Sequence, residues 1–317
     1  MWAYIFRRLL YNVPVFLGII LFVMAALRVN DPIYGFLGKN ATQERYDNFK
    51  KEFGLDDPFA VQYFKFLGRT VTLDFSEESW DHPGLSVGRR LRTAVVPSLA
   101  LTLPALLLTS IIATCVGIIS SYFRGRFVDR FLVIAAVLGM SISFLVYIIL
   151  GQYFGAYRLN QNLPGELFAI DGYEPGVTKW AHYCLLPVLI SVIVAMGYDT
   201  RFYRAVMVEE SVRDYITTAQ AKGASKRKIM FVHMLKNAMI PIVTRIMTTL
   251  PFLITGSILL ETYFSIPGMG QTLIEAVRAK DFPVIQAFTA VFAALYIVSN
   301  IVTDVLYAAF DPRVRLS

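Results

Sequence analysis

One uncharged stretch of sequence decides the fold: PSLALTLPALLLTSIIATCVGIISSY, residues 97–122. An α-helix rises 1.5 Å per residue, so about 20 apolar residues are needed to cross the hydrocarbon core of a bilayer. This stretch has 26 residues and therefore exceeds that length. It predicts a helix that crosses the membrane once.

Five further stretches of the 317-residue chain are long and apolar enough to cross a membrane. The first follows a basic N-terminus, but no small-residue cleavage site comes after it, so it is predicted to be a retained helix rather than a signal peptide. The fourth is short, and Trp180, His182 and Tyr183 beside it are typical of the headgroup level. The sequence thus predicts an all-α polytopic membrane protein with six transmembrane helices, at residues 9–27, 97–122, 131–154, 181–198, 238–260 and 283–310.

The composition also favours a bilayer as the main solvent. Hydrophobic residues make up 56% of the chain, charged residues only 17%, and the mean hydropathy is +0.55, which is outside the usual balance of a soluble domain. The net charge of +7 sits in short loops between apolar stretches, and this distribution excludes a nucleic-acid partner. Cys115 and Cys184 lie in or beside apolar stretches and are expected to be small buried side chains.

The distribution of Lys and Arg predicts the orientation, because cationic short loops are retained on the cytoplasmic side. Arg7 and Arg8 precede the first span, and Arg313 and Arg315 follow the last. Both termini are therefore expected to be cytoplasmic. The other cytoplasmic loops hold two groups of cations: Arg124, Arg126 and Arg130, and then Arg201, Arg204, Arg213, Lys222, Lys226, Arg227, Lys228 and Lys236.

The spans divide the chain into four parts. Residues 1–28 form an N-terminal transmembrane helix, and residues 29–94 are too polar for the membrane and form a small extracytoplasmic domain. Within that domain, residues 54–58 (GLDDP) predict a turn before a short helix that begins at Phe59 and lies on the bilayer or on the bundle. Residues 95–310 form a five-helix core with a cytoplasmic loop at 201–236, and residues 311–317 form a cytoplasmic tail.

Three motifs suggest chemistry that their surroundings do not support. Ser86 lies in a G-x-S-x-G pattern, but no strand precedes it and no acid–histidine pair follows in a suitable place, so a turn is the favoured interpretation. The sequence around Gly38 lacks the first glycine and the hydroxyl of a phosphate-binding loop. His182 and Cys184 alone do not make a metal site. We therefore predict no catalytic residue and no metal.

Polar residues inside the spans are candidates for the solute pathway, because a charge in the bilayer normally faces protein or water. In the fifth and sixth predicted spans these are Arg245, Thr248, Thr249, Asn300 and Asp304. The favoured interpretation is that Arg245 and Asp304 lie near helix ends, form pairs and hold helices together. Direct contact with solute is the alternative.

The cytoplasmic loop at 201–236 predicts two short helices. Residues 213–222 can form the first, and Gly223 ends it as a helix C-terminal residue. Ser225 can cap the second helix, which runs from residue 226 toward the fifth span. Small side chains in the first helix would allow a partner surface to approach closely. The loop residues predicted to contact a partner are Asp214, Tyr215, Thr218, Ala219, Ala221, Lys222, Gly223 and Ser225.

The loop sequences DYITTAQAKGAS (214–225) and HMLKNAMIP (233–241) resemble the permease subunits of bacterial ATP-binding-cassette importers of the dipeptide, oligopeptide and nickel branch. Thr217 and Thr218 stand where the wider importer signature has Glu and Ala, a departure usual for this branch. Four further blocks resemble the same branch, so the resemblance extends over almost the whole chain: GLDDP (54–58), ETYFSIPGMG (261–270), DFPVIQ (281–286) and DPRVR (311–315).

The resemblance implies a type I importer permease in the bacterial inner membrane. It implies that this chain and a related second permease chain form a pore, that two cytoplasmic ATPase subunits bind the helix before Gly223, and that an external binding protein delivers the solute. The chain itself would have no cofactor and no enzymatic activity, and ATP and magnesium would be bound by the partner ATPases. Di- or oligopeptides are the expected solutes.

Three alternatives remain open from the sequence. A nickel permease is disfavoured because the spans hold no clustered His or carboxylate ligands. A secondary transporter driven by an ion gradient usually has broken helices in corresponding halves of the chain and buried acids at mid-span, which the sequence does not display. A membrane-bound hydrolase would use Ser86.

Overall fold

The computed structural model describes residues 2–29, 31–38, 41–249 and 257–310. These residues form helices and, apart from one isolated bridge between Glu78 and Ser86, no β-structure. Lys39 and Asn40, beside Gly38, and the tail at 311–317, which is predicted to be cytoplasmic, lie outside the described residues. The helices are α1 Trp2–Ala26, α2 Pro32–Leu37, α3 Gln43–Glu52, α4 Phe59–Val71, α5 Val87–Tyr122, α6 Phe127–Ser141, α7 Phe144–Asn162, α8 Val177–Glu210, α9 Asp214–Ala221, α10 Lys226–Thr249, α11 Ile258–Tyr263, α12 Met269–Ala279 and α13 Phe282–Phe310.

Five of these helices are long and apolar enough to cross a membrane: α1, α5, α8, α10 and α13. They confirm the first, second, fourth and sixth predicted spans, and α8 is much longer than the 18 residues predicted for span four. The fifth predicted span, 238–260, is confirmed only as far as Thr249, where the described part of α10 ends. Residues 250–256 lie outside the described part of the chain, and α11 begins at Ile258.

The third predicted span, 131–154, is bent rather than one continuous helix. Helix α6 ends at Ser141, Ile142 and Ser143 take extended backbone angles, and α7 leaves at 93° to α6. The Tyr147 hydroxyl donates a hydrogen bond to the Gly139 carbonyl oxygen at 2.9 Å, which satisfies an acceptor near the end of α6. The two helices together still pass as one bent span, so the bundle has five or six crossings.

Helices α5 and α8 run side by side through the centre of the bundle. In the first turn of α8 the Trp180 indole N–H donates to the Ala100 carbonyl oxygen of α5 at 2.8 Å. Toward their last turns Gly117 lets the backbones meet, because a Cβ at this position would lie 3.1 Å from the backbone nitrogen of Arg204. One apolar cluster surrounds Leu101, Val188 and Phe264. A second surrounds Ala113 and Met207 at the other end of the two helices.

The segment between α1 and α5 packs on the ends of α1, α5 and α13. Gly54 has a positive φ of 61° in the predicted turn, and α4 begins at Phe59 as predicted. The Trp80 ring stacks on Phe282 at 5.5 Å. Next to it the buried Asp281 carboxylate accepts hydrogen bonds from Arg90 of α5 at 3.1 Å and from the Trp80 backbone N–H at 3.2 Å. This segment is therefore tied to α5 and to the start of α13.

Candidate functional site

A helix–turn–helix unit, formed by α9 and the start of α10, lies at the end of the bundle where α5 and α8 finish. Helix α9 ends at Ala221, and Gly223 follows with φ of 78°, a left-handed angle that favours glycine. The Ser225 hydroxyl accepts a hydrogen bond from the Lys228 backbone N–H at 3.4 Å and so caps α10. These three predicted features are confirmed, and α10 continues from this cap directly into the membrane span.

The unit is held by apolar packing. Ile216 and Ala219 of α9 are buried in a cluster with Met207 of α8 and with Ile229 and Met230 of α10. The first part of α10, Ile229–Met234, is π-helical. Because these side chains exclude water between the elements, α9 is fixed to the bundle rather than suspended from it.

The packing corrects one detail of the predicted contact surface. Ala219 faces the chain's own helices and is buried, so its small size allows α9 to approach its own bundle and not a partner. Ala221, in contrast, is exposed. Six of the eight predicted loop residues form the outward side of the unit: Asp214, Thr218, Ala221, Lys222, Gly223 and Ser225.

Tyr215, the remaining predicted loop residue, is half-buried and links α9 to α8. Its hydroxyl donates a hydrogen bond to the Glu210 carboxylate. Burial raises the pKa of Tyr215, and the bond to Glu210 acts in the same direction. The tyrosine is therefore a neutral donor that orients the first turn of α9. Arg213 pairs with Glu209 at 2.8 Å on the exposed side of the same connection.

An ion pair with a buried carboxylate and a partly exposed arginine fixes the helices beneath this unit. Arg204 of α8 binds both carboxylate oxygens of Asp129 in the first turn of α6, at 2.7 and 2.8 Å. Asp129 also accepts from the Ser120 hydroxyl of α5 and from the Gly125 backbone N–H. A bidentate pair with its remaining lone pairs satisfied has a strongly preferred geometry. It joins α5, α6 and α8 where they meet the helix–turn–helix unit.

The polar residues predicted inside the spans form two ion pairs. Arg245 of α10 contacts Asp199 of α8 at 3.2 Å, and Asp304 of α13 contacts Arg8 of α1 at 2.9 Å. Arg245 and Asp304 were each predicted to pair with another residue and to join helices, and these two contacts confirm that. The Asp199 side chain is 14% exposed and that of Arg245 is 42% exposed, so the arginine is the more accessible partner.

The other three residues lie in the same region of α10 and α13. The Thr248 and Thr249 hydroxyls donate to carbonyl oxygens of their own helix at 2.7 Å, and Asn300 is half-buried. The two helices meet where the Thr303 hydroxyl donates to the Met247 carbonyl oxygen at 3.1 Å. The five predicted residues are therefore carried by two helices that contact each other, α10 and α13.

The sequence analysis did not single out the buried carboxylates of Asp129 and Asp281, and it also missed a third one in α11. Glu261 of α11 is fully buried and accepts hydrogen bonds from the Ser98 hydroxyl of α5 at 2.7 Å and from the backbone N–H groups of Gly270 and Gln271 at 2.7 and 3.0 Å. Gly268 is required beside it, because a Cβ there would lie 2.4 Å from the Glu261 carboxyl carbon. The available sequence signal was an acidic residue next to the PGMG turn that starts α12.

The surroundings of Ser86 and of Cys184 indicate structural roles for both side chains. The Ser86 hydroxyl accepts from the Arg89 backbone N–H and caps α5, as the favoured turn interpretation requires. Cys184 is fully buried, as expected, whereas the expectation of a buried Cys115 is wrong because its side chain is exposed on α5. Among the residues that the structure describes, no group of three or more His, Cys, Asp or Glu side chains could hold a metal ion.

The fold and this docked unit define a multi-pass membrane protein built to hold an exposed helix against its bundle. Comparison with known families is specific: residues 113–316 match the family of binding-protein-dependent transport system inner membrane components, and residues 1–109 match the N-terminal part of the same systems' membrane components. The chain belongs to this permease family of binding-protein-dependent importers. It is a transport component rather than an enzyme.

Individual relatives are similar in sequence to this chain over nearly the whole length of both proteins. The chain is 31% identical to a probable peptide ABC transporter permease protein of Sinorhizobium fredii, with 99% of this chain and 100% of the relative covered. It is 34% identical to a putative peptide permease protein of Brucella suis, with complete coverage of both. It is 32% identical to a glutathione transport system permease protein of Salmonella typhimurium, with 98% of each covered. The resemblance to peptide-importer permeases is confirmed.

Proposed function

We propose that this chain is a pore-forming subunit of an ATP-driven importer of di- or oligopeptides. In this proposal it forms the pore with a second, related permease chain. Two separate ATPase subunits bind ATP and magnesium, and an extracytoplasmic protein delivers the solute. The chain contributes two arrangements of its helices whose relative stability changes when the ATPases close.

The observation that carries the proposal is the outward side of the helix–turn–helix unit. It is exposed, it includes Asp214, Thr218, Ala221 and Lys222, and it stands on a helix whose opposite side is buried. A force applied to this side would pass through the Ile216 cluster and the Arg204–Asp129 pair into α5, α6 and α8. An exposed helix without such support would bend locally and leave the spans in place.

The proposed orientation places this unit and both termini in the cytoplasm. The cations around the unit support it, because short cationic loops stay on that side. The segment at 29–94, at the opposite end of α5, is then the extracytoplasmic domain. Residues 95–310 form the permease core in this division. The bacterial inner membrane is the location that matches the family's description.

The proposed solute class rests on the relatives, whose names refer to peptide and glutathione transport. We assign Arg245, Thr248, Thr249, Asn300 and Asp304 to the pathway. Arg245 is the best placed of them to contact a carboxylate, since its partner Asp199 holds it while much of its side chain remains accessible. A permease for nickel is the alternative solute assignment.

The test compares tryptophan substitutions at two exposed positions. The first is Ala221→Trp on α9, and the control is Val177→Trp at the far end of α8. We expect Ala221→Trp to reduce retention of the ATPase subunits during purification and to reduce ATP-driven peptide uptake in proteoliposomes. Val177→Trp should retain the ATPases. Normal ATPase retention and uptake in Ala221→Trp would contradict the coupling role.

Two further measurements test the driving force and the solute. Uptake should stop when ATP is removed and should persist when ion gradients are collapsed by ionophores. The opposite result would favour a secondary transporter. Unlabelled dipeptides should compete with a labelled dipeptide, whereas nickel ions should not.

A further inference from the structure

Helix α4 has a buried side that fastens it across two membrane helices. Phe59, Tyr63, Phe66 and Leu67 recur at helical spacing and pack against an apolar cluster formed by α1 and α13. The members of that cluster on the two spans are Phe16, Ile20, Met24 and Ala290. Because it contacts both spans, α4 lies across the bundle.

A second side of α4 is polar and faces water. Lys65 and Arg69 lie one turn apart and pair with Asp57 and Glu77. Both cations line a cavity of about 490 Å³ that also includes Arg28 at the end of α1. This side therefore belongs to the aqueous end of the bundle.

Two hydrogen bonds between α4 and α1 show where α4 lies along the apolar length of α1. Gln62 accepts a hydrogen bond from the Arg28 guanidinium, just beyond the apolar stretch Ile5–Ala26. The Tyr63 hydroxyl donates to the Leu17 carbonyl oxygen at 2.9 Å, in the interior of that stretch. At 1.5 Å per residue, Leu17 and Arg28 are about 17 Å apart along α1. The Tyr63 side of α4 therefore points toward the membrane interior, and the Gln62 side points away from it.

A third side of α4 is apolar but uncovered. Val61, Phe64 and Val71 are spaced so that they share one flank, and their exposed fractions are 40%, 68% and 78%. Around the helix axis, this flank follows Tyr63 and Leu67, which are on the side that points toward the membrane interior. Gln62 and Arg69 lie on the opposite side of the helix. Phe22 of α1, in the same apolar stretch as Leu17, is also 73% exposed.

We propose that α4 is an interfacial helix whose Val61–Phe64–Val71 flank inserts into the acyl region of the leaflet around the C-terminal end of α1. The separation of polar and apolar flanks selects lipid as the occupant, because a helix at a bilayer surface buries its apolar side and keeps its cations in water. The flank also lies beside the Tyr63 side of α4, whose hydrogen bond to Leu17 falls in the interior of the apolar stretch of α1. Lipid contact would hold α1 and α13 at a fixed depth.

The experiment uses spin labels on the full chain, purified with its associated subunits and placed in lipid nanodiscs. In a background with Cys115→Ala and Cys184→Ala, single cysteines are introduced as Phe64→Cys, Val71→Cys and, as the matched control, Lys65→Cys. Accessibility to oxygen, which concentrates in lipid, is compared with accessibility to a water-soluble nickel chelate. We expect labels at positions 64 and 71 to favour oxygen severalfold more than the label at 65.

Each other result overturns the proposal. If the label at 64 is as accessible to the nickel chelate as the label at 65, the flank faces water. If the labels at 64 and 71 are poorly accessible to both reagents, another protein chain covers the flank. Each variant is first checked for the elution volume and subunit content of the cysteine-free parent, so that a misfolded sample is not scored.

Discussion

Arg204 binds Asp129 through two hydrogen bonds, Nε to Oδ1 at 2.7 Å and Nη2 to Oδ2 at 2.8 Å, and thereby joins α8 to the first turn of α6. The Asp129 side chain is almost fully buried. Loss of one partner from such a pair leaves the other without compensation, which costs about 3 kcal/mol. The pair is therefore a structural support for the helix–turn–helix unit that lies on it.

The first prediction removes this support. We expect Arg204→Gln, which leaves the buried Asp129 carboxylate without its cation, to lower the free energy of unfolding by about 3 kcal/mol, measured as a lower melting temperature of the purified protein in detergent. The control is Arg213→Gln, because the Arg213–Glu209 pair is exposed and should contribute less than about 1 kcal/mol. Equal melting temperatures for the two variants would show that the Arg204 pair is not a support.

The second prediction concerns pH and Glu77, in the segment between α1 and α5. Burial raises the pKa of the Glu77 carboxyl above its usual 4.5, and the Arg69 guanidinium opposes this only in part. The folded state therefore holds the proton more tightly than the unfolded state. The contribution of protonated Glu77 to the stability of the fold is therefore fully present below pH 4.5 and is lost as pH rises through the raised pKa.

Glu77→Gln removes this loss, because an amide does not ionise. We expect the melting temperature of the variant, relative to the wild type, to increase as the pH rises from about 4 to about 7. The measurement is a melting curve of both proteins at each pH. A difference that stays constant or decreases over that range would contradict the assigned direction of the pKa.

The parts of the fold that sequence predicted well are those that local patterns determine. The apolar length of α5 and the Gly223 and Ser225 signals around α9 depend only on neighbouring residues, and each is found where predicted. The bend between α6 and α7 was missed, since Ser141, Ile142 and Ser143 include neither Pro nor Gly. Hydropathy averages across such a bend and cannot detect it.

The candidate site was predictable in position but not in its contacts. Helical spacing placed Ala219 with the partner-facing residues, yet the direction of α9 relative to α8 buries Ala219. The partners of Arg204 and Arg245 lie 75 and 46 residues away in sequence. Spacing along one helix carries no information on such pairs, because the packing of whole helices brings them together.

The third prediction separates structure from transport at the Arg245–Asp199 pair. Arg245→Gln should destabilise the protein by about 2 kcal/mol, because it leaves the largely buried Asp199 carboxylate without its cation. Asp199→Asn should cost less, since Arg245 can still reach water. The double variant should recover most of the lost melting temperature.

Uptake should respond differently if Arg245 contacts a carboxylate of the solute. We expect the stabilised double variant to transport peptides poorly, whereas Asp199→Asn, which keeps the arginine, should retain uptake. Recovery of both melting temperature and uptake in the double variant would assign the pair to structure alone and remove Arg245 from the pathway.

The fourth prediction tests the buried carboxylate of Glu261, which connects α11, α5 and the start of α12. In Glu261→Ala the Ser98 hydroxyl and the N–H groups of Gly270 and Gln271 lose their acceptor. Each buried group left unsatisfied costs about 1 to 3 kcal/mol, so we expect a total loss of at least about 3 kcal/mol. Glu261→Gln should lose less, because its amide oxygen still accepts.

The control is Glu275→Ala on α12, whose exposed carboxylate accepts from the Gln271 side chain at 2.9 Å and should contribute less than about 1 kcal/mol. Melting curves of the three variants rank them directly. If Glu261→Ala melts with Glu275→Ala, the carboxylate does not hold α12 against α5, and the close packing of Gly268 would have to supply that connection.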